Sequence, residues 1–245
     1  MYSCQDWCSG SMSRTILITG ATSSFGQELI SRLPSDTKII AQSRDSLPTN
    51  IEIDERIISI ISDFSKLDFM TDFEPKVDFT QVDEVVHFAA ADLRMRRFIE
   101  TTSDELLFDY KINFISIVSL LTRILATLKN NPRQIKVVIM VTDMVRIPKK
   151  GEISYMTSKH ALLGLVNSLL SEFSGNELRI NAISPSFVDT RFVNIPEFLK
   201  KDISNKHPMK RFCTAAEVVD STEFLLSSQS SFINGQNFFI NGGGN

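Results

Sequence analysis

Disulfides, metal ligands and long apolar runs are all scarce in this chain. It holds 3 cysteines in 245 residues. An odd number, with Cys4 and Cys8 near the start and Cys213 far downstream, cannot form a disulfide framework and fits a reducing cytoplasm. Three histidines and one distant cysteine are too few and too scattered for a zinc site, so no metal is expected. Ten glycines and eight prolines exclude collagen-like and low-complexity readings. No apolar stretch reaches about 18 residues without a charge, so no membrane span is expected. The opening MYSCQDWCSGS lacks a basic start followed by an apolar run and does not read as a signal peptide. A net charge of −3 argues against nucleic-acid binding through a global basic field.

What is present suffices for a core: 42% of the residues are hydrophobic. We set residues 1–12 aside as a disordered leader, with a Cys4/Cys8 redox pair as the other reading. Residues 13–245 are expected to form one domain. Short β-branched runs at 15–19, 38–42, 57–61, 84–88, 136–141, 179–183 and 237–240 alternate with helical patterns, the first beginning at Phe25. These runs are nearly continuous in apolar residues, as in strands covered on both faces of a parallel sheet. Strand–helix alternation throughout predicts an α/β fold: a doubly wound, parallel, seven-stranded sheet of Rossmann type in a single domain. A long helix is predicted over 102–128. Thr102 with Glu105 reads as its capping box, and Asn130-Asn131-Pro132 as its stop. Apolar residues cover more than one face of that helix, which predicts a homodimer or homotetramer held through it.

The stretch TGATSSFG, residues 19–26, follows the first strand and opens the first helix. Such a glycine-bearing turn lets backbone N–H groups and the positive helix end approach a pyrophosphate. The plainer alternative is an ordinary strand–helix corner at Gly20. After the second strand stand Ser43 and Arg44, with no carboxylate before Asp45. An acidic residue there would bind the ribose 2′-hydroxyl of NAD, whereas a guanidinium suits the 2′-phosphate of NADP. A solvated loop arginine is the alternative for Arg44. Tyr155 and Lys159 lie four residues apart, on one face of a predicted helix. A lysine ammonium beside a phenol favours the phenolate, lowers its pKa and prepares it for acid–base work on a carbonyl or alcohol. Surface pairs share the same spacing.

Further landmarks are Asp63 after the third strand, HFAA after the fourth, INFIS on the long helix, IMVTDM, YMTSKHAL, RINAISPSFVDT and the closing INGQNFFINGGGN. In this order and spacing they resemble a short-chain dehydrogenase/reductase of the compact, single-domain type, from about residue 13 to the end. The resemblance implies reversible hydride transfer between NAD(P) and a carbonyl/alcohol pair. It implies Tyr155 as general acid/base and Lys159 as the lysine that tunes it and holds the nicotinamide ribose. Asn113 matches the asparagine whose backbone helps position a proton-relay water. Thr142, thirteen residues before Tyr155, matches the hydroxyl that bonds the substrate oxygen, with Asp143 the occupant if the match slips by one. For the cofactor it implies Gly20, Ser23, Ser24, Phe25 and Gly26 at the phosphates, and Asp63 and Phe64 at the adenine. Ala89 and Ala90 fall on the ribose side, and Pro185, Val188 and Thr190 at the carboxamide.

The chain departs from that pattern at four places. Ser24 stands where a glycine is usual, Ser186 replaces the glycine after Pro185, Thr142 replaces serine, and His87-Phe88-Ala89-Ala90 replaces Asn-Asn-Ala-Gly. His87, at a strand end, reads as a structural hydrogen-bonding group. Arg94, Arg96 and Arg97 form a basic cluster that suits a phosphopantetheine, nucleotide or carboxylate, or else simply faces solvent. Residues 191–208, with Phe192, Ile195, Phe198 and Leu199, are expected to fold over the substrate. The expected function is reduction, with NADPH in preference to NAD, of a ketone or 3-oxoacyl-type carbonyl on a small-molecule or carrier-linked substrate. No nucleic-acid or membrane partner is expected. An alcohol or sugar dehydrogenase and a catalytically weak dinucleotide-binding sensor are the alternatives.

Overall fold

A computed structural model describes residues 14–190 and 196–244. The expected leader with Cys4 and Cys8 lies outside them. The strands are β1 (Thr15–Thr19), β2 (Lys38–Ser43), β3 (Ile57–Ile61), β4 (Glu84–His87), β5 (Ile135–Met140), β6 (Leu178–Pro185) and β7 (Asn237–Ile240). The helices are α1 (Ser24–Arg32), α2 (Thr49–Glu52), α3 (Ser103–Tyr110), α4 (Ser116–Ala126), α5 (Ile153–Glu172), α6 (Glu197–Lys206) and α7 (Ala215–Leu226). One seven-stranded sheet runs in the order β3-β2-β1-β4-β5-β6-β7, every pair parallel. This is the doubly wound Rossmann sheet that strand–helix alternation predicts.

Alternation along each strand divides the core into two layers. Leu17, Val85, Val137 and Ile180 face α4 and α5, whereas Ile16, Ile18, Val86 and Val138 face α1 and α7. β3 departs from the expectation of cover on both faces. It is an edge strand, and Ile58 and Ile61 are 41% and 53% exposed. Nothing in an apolar run distinguishes an edge position from a central one.

The predicted long helix is two helices joined by a π turn, Lys111–Ile115. Its capping box forms: the Glu105 amide donates to Thr102 Oγ1 at 3.2 Å, and the Thr102 amide donates to Glu105 Oε2 at 3.1 Å. The helical stretch Ser103–Lys129 is long and apolar enough to cross a bilayer by length and composition. Ile117, Leu120, Leu121 and Ile124 pack instead into the core beneath the sheet. Each such burial contributes about 1.5–3 kcal/mol. Leu107 and Ile115 remain exposed, at 57% and 40%.

Candidate active site

Because the strands are parallel, their carboxyl ends meet at one edge, and the strand order reverses between β1 and β4. A crevice opens at such a reversal. Thr19, Ser43, His87, Met140 and Pro185 end strands there.

The turn after β1 is shaped by two glycines. Gly20 has φ +69°, and a Cβ on it would lie 2.8 Å from the Ala89 amide nitrogen. A Cβ on Gly26 would lie 2.7 Å from the Ala21 backbone. Both positions therefore admit only bare backbone. Ser23 caps α1, its Oγ accepting the Gly26 amide at 3.0 Å, and Ser24 opens the helix. The Phe25 ring rests 5.8 Å from that of Phe88. A positive helix end behind a cradle without side chains is what a pyrophosphate requires, so the residues present fit a dinucleotide.

Sequence reading missed the residue that anchors this turn. Gln42, 3% exposed in β2, accepts the Gly20 amide on Oε1 at 3.0 Å and donates from Nε2 to the Ser62 carbonyl at 2.8 Å. Its backbone carbonyl accepts the Ala21 amide at 2.8 Å. A glutamine inside an apolar strand is the signal that could have found it, since a buried amide needs partners.

The residues expected around the adenosine are less uniform. Ser43 is buried and donates to the Asp45 carbonyl at 2.5 Å. Arg44 projects into solvent on the rim, 3.3 Å from the Asp45 carboxylate. Asp63 accepts the Ser65 amide at 2.9 Å. The Phe64 ring is buried against Phe69 and Phe73, so it belongs to the core and leaves only its backbone toward the crevice. Ala89 packs against Gly20, and Ala90 follows it, exposed, in the same loop. Pro185 is buried at the end of β6, Val188 bridges to Cys213, and Thr190 is half-buried.

Tyr155 and Lys159 share a face of α5. Lys159 Nζ lies 5.7 Å from the Tyr155 ring centroid and donates to the Met140 carbonyl at 3.0 Å. Lys159 is 1% exposed, and burial lowers its pKa to about 7. Tyr155 moves the other way from the expectation. Burial, followed by the charges of Glu152, Asp143 and Asp109, pushes its phenol well above the usual range. Within the polypeptide, burial and then the three acids set the direction. Thr142 is buried at the end of β5, and its Oγ1 accepts the Met144 amide at 3.3 Å. Asp143 beside it is half-buried, and burial raises its carboxyl despite a hydrogen bond with Ser186.

Asn113 sits in the π turn, fully buried. Its Oδ1 accepts the Ala91 amide and its Nδ2 donates to Ser158 Oγ, each at 2.8 Å. Ser158 Oγ in turn donates to the Tyr155 carbonyl at 2.8 Å. The helix carrying the candidate catalytic pair is thus fastened to the turn that carries Asn113. Ser154 adds a second tie, donating to the buried Asp109 at 2.5 Å. His87 bridges Thr19 and the Asn113 carbonyl, as a structural histidine should.

Of the basic cluster, Arg96 pairs with Glu105 at 2.8 Å, and Arg94 lies over the Phe108 ring at 4.3 Å. Arg96 and Arg97 border a cavity of about 650 Å³, with Phe98, Tyr110, Lys149 and His160 among its other walls. Of the expected cover, Phe192 and Ile195 lie outside the described residues. Phe198 and Leu199 project from α6 into solvent, at 76% and 37% exposure. Among the described residues no cluster of metal-ligating side chains forms.

Comparisons with known proteins bear on the family and the fold. A family model described as enoyl-(acyl carrier protein) reductase matches residues 61–245. A 3-oxoacyl-[acyl-carrier-protein] reductase from Buchnera aphidicola is 38% identical over 95 residues, covering 38% of this chain and 39% of the relative. Carbonyl reductase [NADPH] 2 from Sus scrofa is 28% identical over 166 residues, covering 66% of this chain and 67% of the relative. A solved 4-hydroxyisoleucine dehydrogenase complexed with NADH superposes with a TM-score of 0.86 at 22% identity, over 94% of this chain and 98% of that one. The matched stretch thus spans only about two fifths of the first relative and two thirds of the second. With the family model matched over most of the sequence, the chain belongs to the short-chain dehydrogenase/reductase family.

Proposed function

We propose that the protein is an NADPH-dependent oxidoreductase that reduces a ketone or 3-oxoacyl-type carbonyl to an alcohol. The observation that carries the reading is the placement of Tyr155 and Lys159 on one face of α5, beside the strand edge that holds the glycine cradle. When bound, the dinucleotide supplies the hydride. Gly20, Ser23, Ser24, Phe25 and Gly26 hold its phosphates, and Arg44 meets a 2′-phosphate. Asp63, the Phe64 backbone, Ala89, Ala90, Pro185, Val188 and Thr190 border the rest.

The Thr142 hydroxyl and the Tyr155 phenol bind the substrate oxygen, so negative charge grows between two preset donors. A phenol carries its proton through the neutral range, so Tyr155 enters the reduction as a proton donor. Lys159 steadies the charge left on Tyr155, and the Asn113 carbonyl seats a water that returns the proton. Arg97 and Lys149 on the neighbouring cavity support a carrier-linked, acidic substrate. The exposed Leu107 and Ile115 support self-association as a dimer or tetramer. The cysteine usage supports a cytoplasmic setting.

A second reading, an alcohol or sugar dehydrogenase using NAD or NADP, draws support from Asp143. A half-buried carboxylate next to Thr142 suits a hydroxylated substrate. The deciding experiment follows NADPH absorbance with a 3-oxoacyl thioester, a simple ketone and a hexose, in wild type and Tyr155→Phe. Turnover of a carbonyl by the wild type, lost in Tyr155→Phe with NADPH binding intact, supports reduction. Turnover in Tyr155→Phe equal to wild type overturns it.

A further inference from the structure

His87 is wholly buried at the end of β4, and each ring nitrogen has one partner. Nε2 lies 3.2 Å from the Asn113 carbonyl oxygen, and Nδ1 lies 2.8 Å from Thr19 Oγ1. A carbonyl only accepts, so Nε2 carries the hydrogen and Nδ1 accepts the Thr19 hydroxyl. Thr19 Oγ1 then uses its lone pairs for the Ala89 amide at 3.3 Å. Burial, with the charge of Lys159 adding to it, lowers the imidazole pKa to about 3 and keeps the ring neutral. A second ring proton would reverse the bond with Thr19, turning its hydroxyl from donor to acceptor.

The two partners belong to different halves of the site. Thr19 is the last residue of β1 and immediately precedes Gly20 of the cradle. Asn113 lies in the π turn, and its amide grips Ser158 next to Lys159. The ring therefore ties the turn that receives the dinucleotide to the turn that supports the proton-transfer pair.

We propose that His87 is a positioning residue with two separable jobs: Nε2 aims the Asn113 carbonyl, and Nδ1 sets the mouth of the phosphate turn through Thr19. The first job rests on the reading of Asn113 and Tyr155 given above; the second does not.

Two substitutions divide the ring between them. The glutamine amide reaches the Nε2 position, so His87→Gln keeps a donor for Asn113 and removes the partner of Thr19. The asparagine amide reaches the Nδ1 position, so His87→Asn does the reverse. His87→Gln is expected to hold kcat within about threefold of wild type and to weaken NADPH affinity several-fold. His87→Asn is expected to hold NADPH affinity and to lower kcat about tenfold, as a slightly misplaced relay seat would. Parallel losses in both variants, or no change in either, overturn the proposal. Nitrogen-15 NMR of the wild-type imidazole gives a readout independent of turnover and of variant folding. A neutral ring protonated at Nε2 supports the proposal, and protonation at Nδ1 overturns it. If the wild type reduces no carbonyl at all, the proposed function fails, while NADPH affinity and the tautomer still decide the role of His87.

Discussion

Lys159 reaches past the Tyr155 ring, with Nζ 5.7 Å from the ring centroid, to donate to the carbonyl of Met140 at the end of β5. The contact fastens the middle of the candidate catalytic helix to the strand that delivers Thr142.

Removing the phenol tests the chemistry directly. Tyr155→Phe should lower kcat by about 10²–10⁴-fold, the usual worth of a positioned proton donor. NADPH affinity, measured by fluorescence titration, should stay close to that of wild type. Equal damage to both would mean that the ring acts only in packing.

The cradle glycines have a built-in control. Gly20→Ala forces a Cβ against the Ala89 amide at positive φ, a conformation that costs about 1–2 kcal/mol for a residue with a side chain. It should weaken NADPH binding as well as stability. Gly164→Ala, within α5, meets nothing within 4 Å and should stabilise the protein by about 0.5–1 kcal/mol. Urea melts of the two variants should shift in opposite directions.

Replacing Arg44 tests the proposed preference for NADPH. Its side chain is solvent-facing and is paired only with the neighbouring exposed Asp45, so it is available for a 2′-phosphate at little structural cost. Arg44→Ala should weaken NADPH binding about tenfold or more, roughly 1.4 kcal/mol, and leave NADH binding unchanged. Equal affinity for the two dinucleotides in wild type would dismiss the role.

His87 also predicts an acid-sensitive fold. Its pKa drops from 6.5 in the open chain to about 3 in the folded protein, so between these values the unfolded chain binds more protons. Stability then rises with pH across that window and is lost as pH falls through it, by up to about 1.4 kcal/mol per pH unit. His87→Asn, having no titrating ring, should flatten this part of the profile in denaturant melts at successive pH values. An unchanged slope would show that other groups control acid unfolding.

Much of the architecture was legible because it depends on local pattern. Runs of two to five consecutive apolar residues, rich in β-branched side chains and punctuated by helical stretches, locate all seven strands to within two residues at either end. Thr102 and Glu105 mark a helix start because their side chains satisfy the two amides that the helix itself cannot. The π turn at Asn113 was not legible, because apolar residues cover more than one face of this helix and hide the phase shift that one extra residue causes. The partners of Gln42, His87 and Ser158 were hidden for a different reason. Each joins residues 20 or more positions apart, which only the assembled sheet brings together. The direction of the Tyr155 pKa was misjudged because spacing reveals its lysine but neither the burial of the phenol nor the three acids whose charges add to it.

Gln42 ties the turn after β1 to the ends of two further strands. That corner of the crevice therefore moves only with the sheet itself, like a wall built into a foundation. Variation in substrate is expected on the opposite bank, around α6, which follows β6 in the chain. Loop grafting there should change what the protein accepts while its grip on the dinucleotide stays as it is.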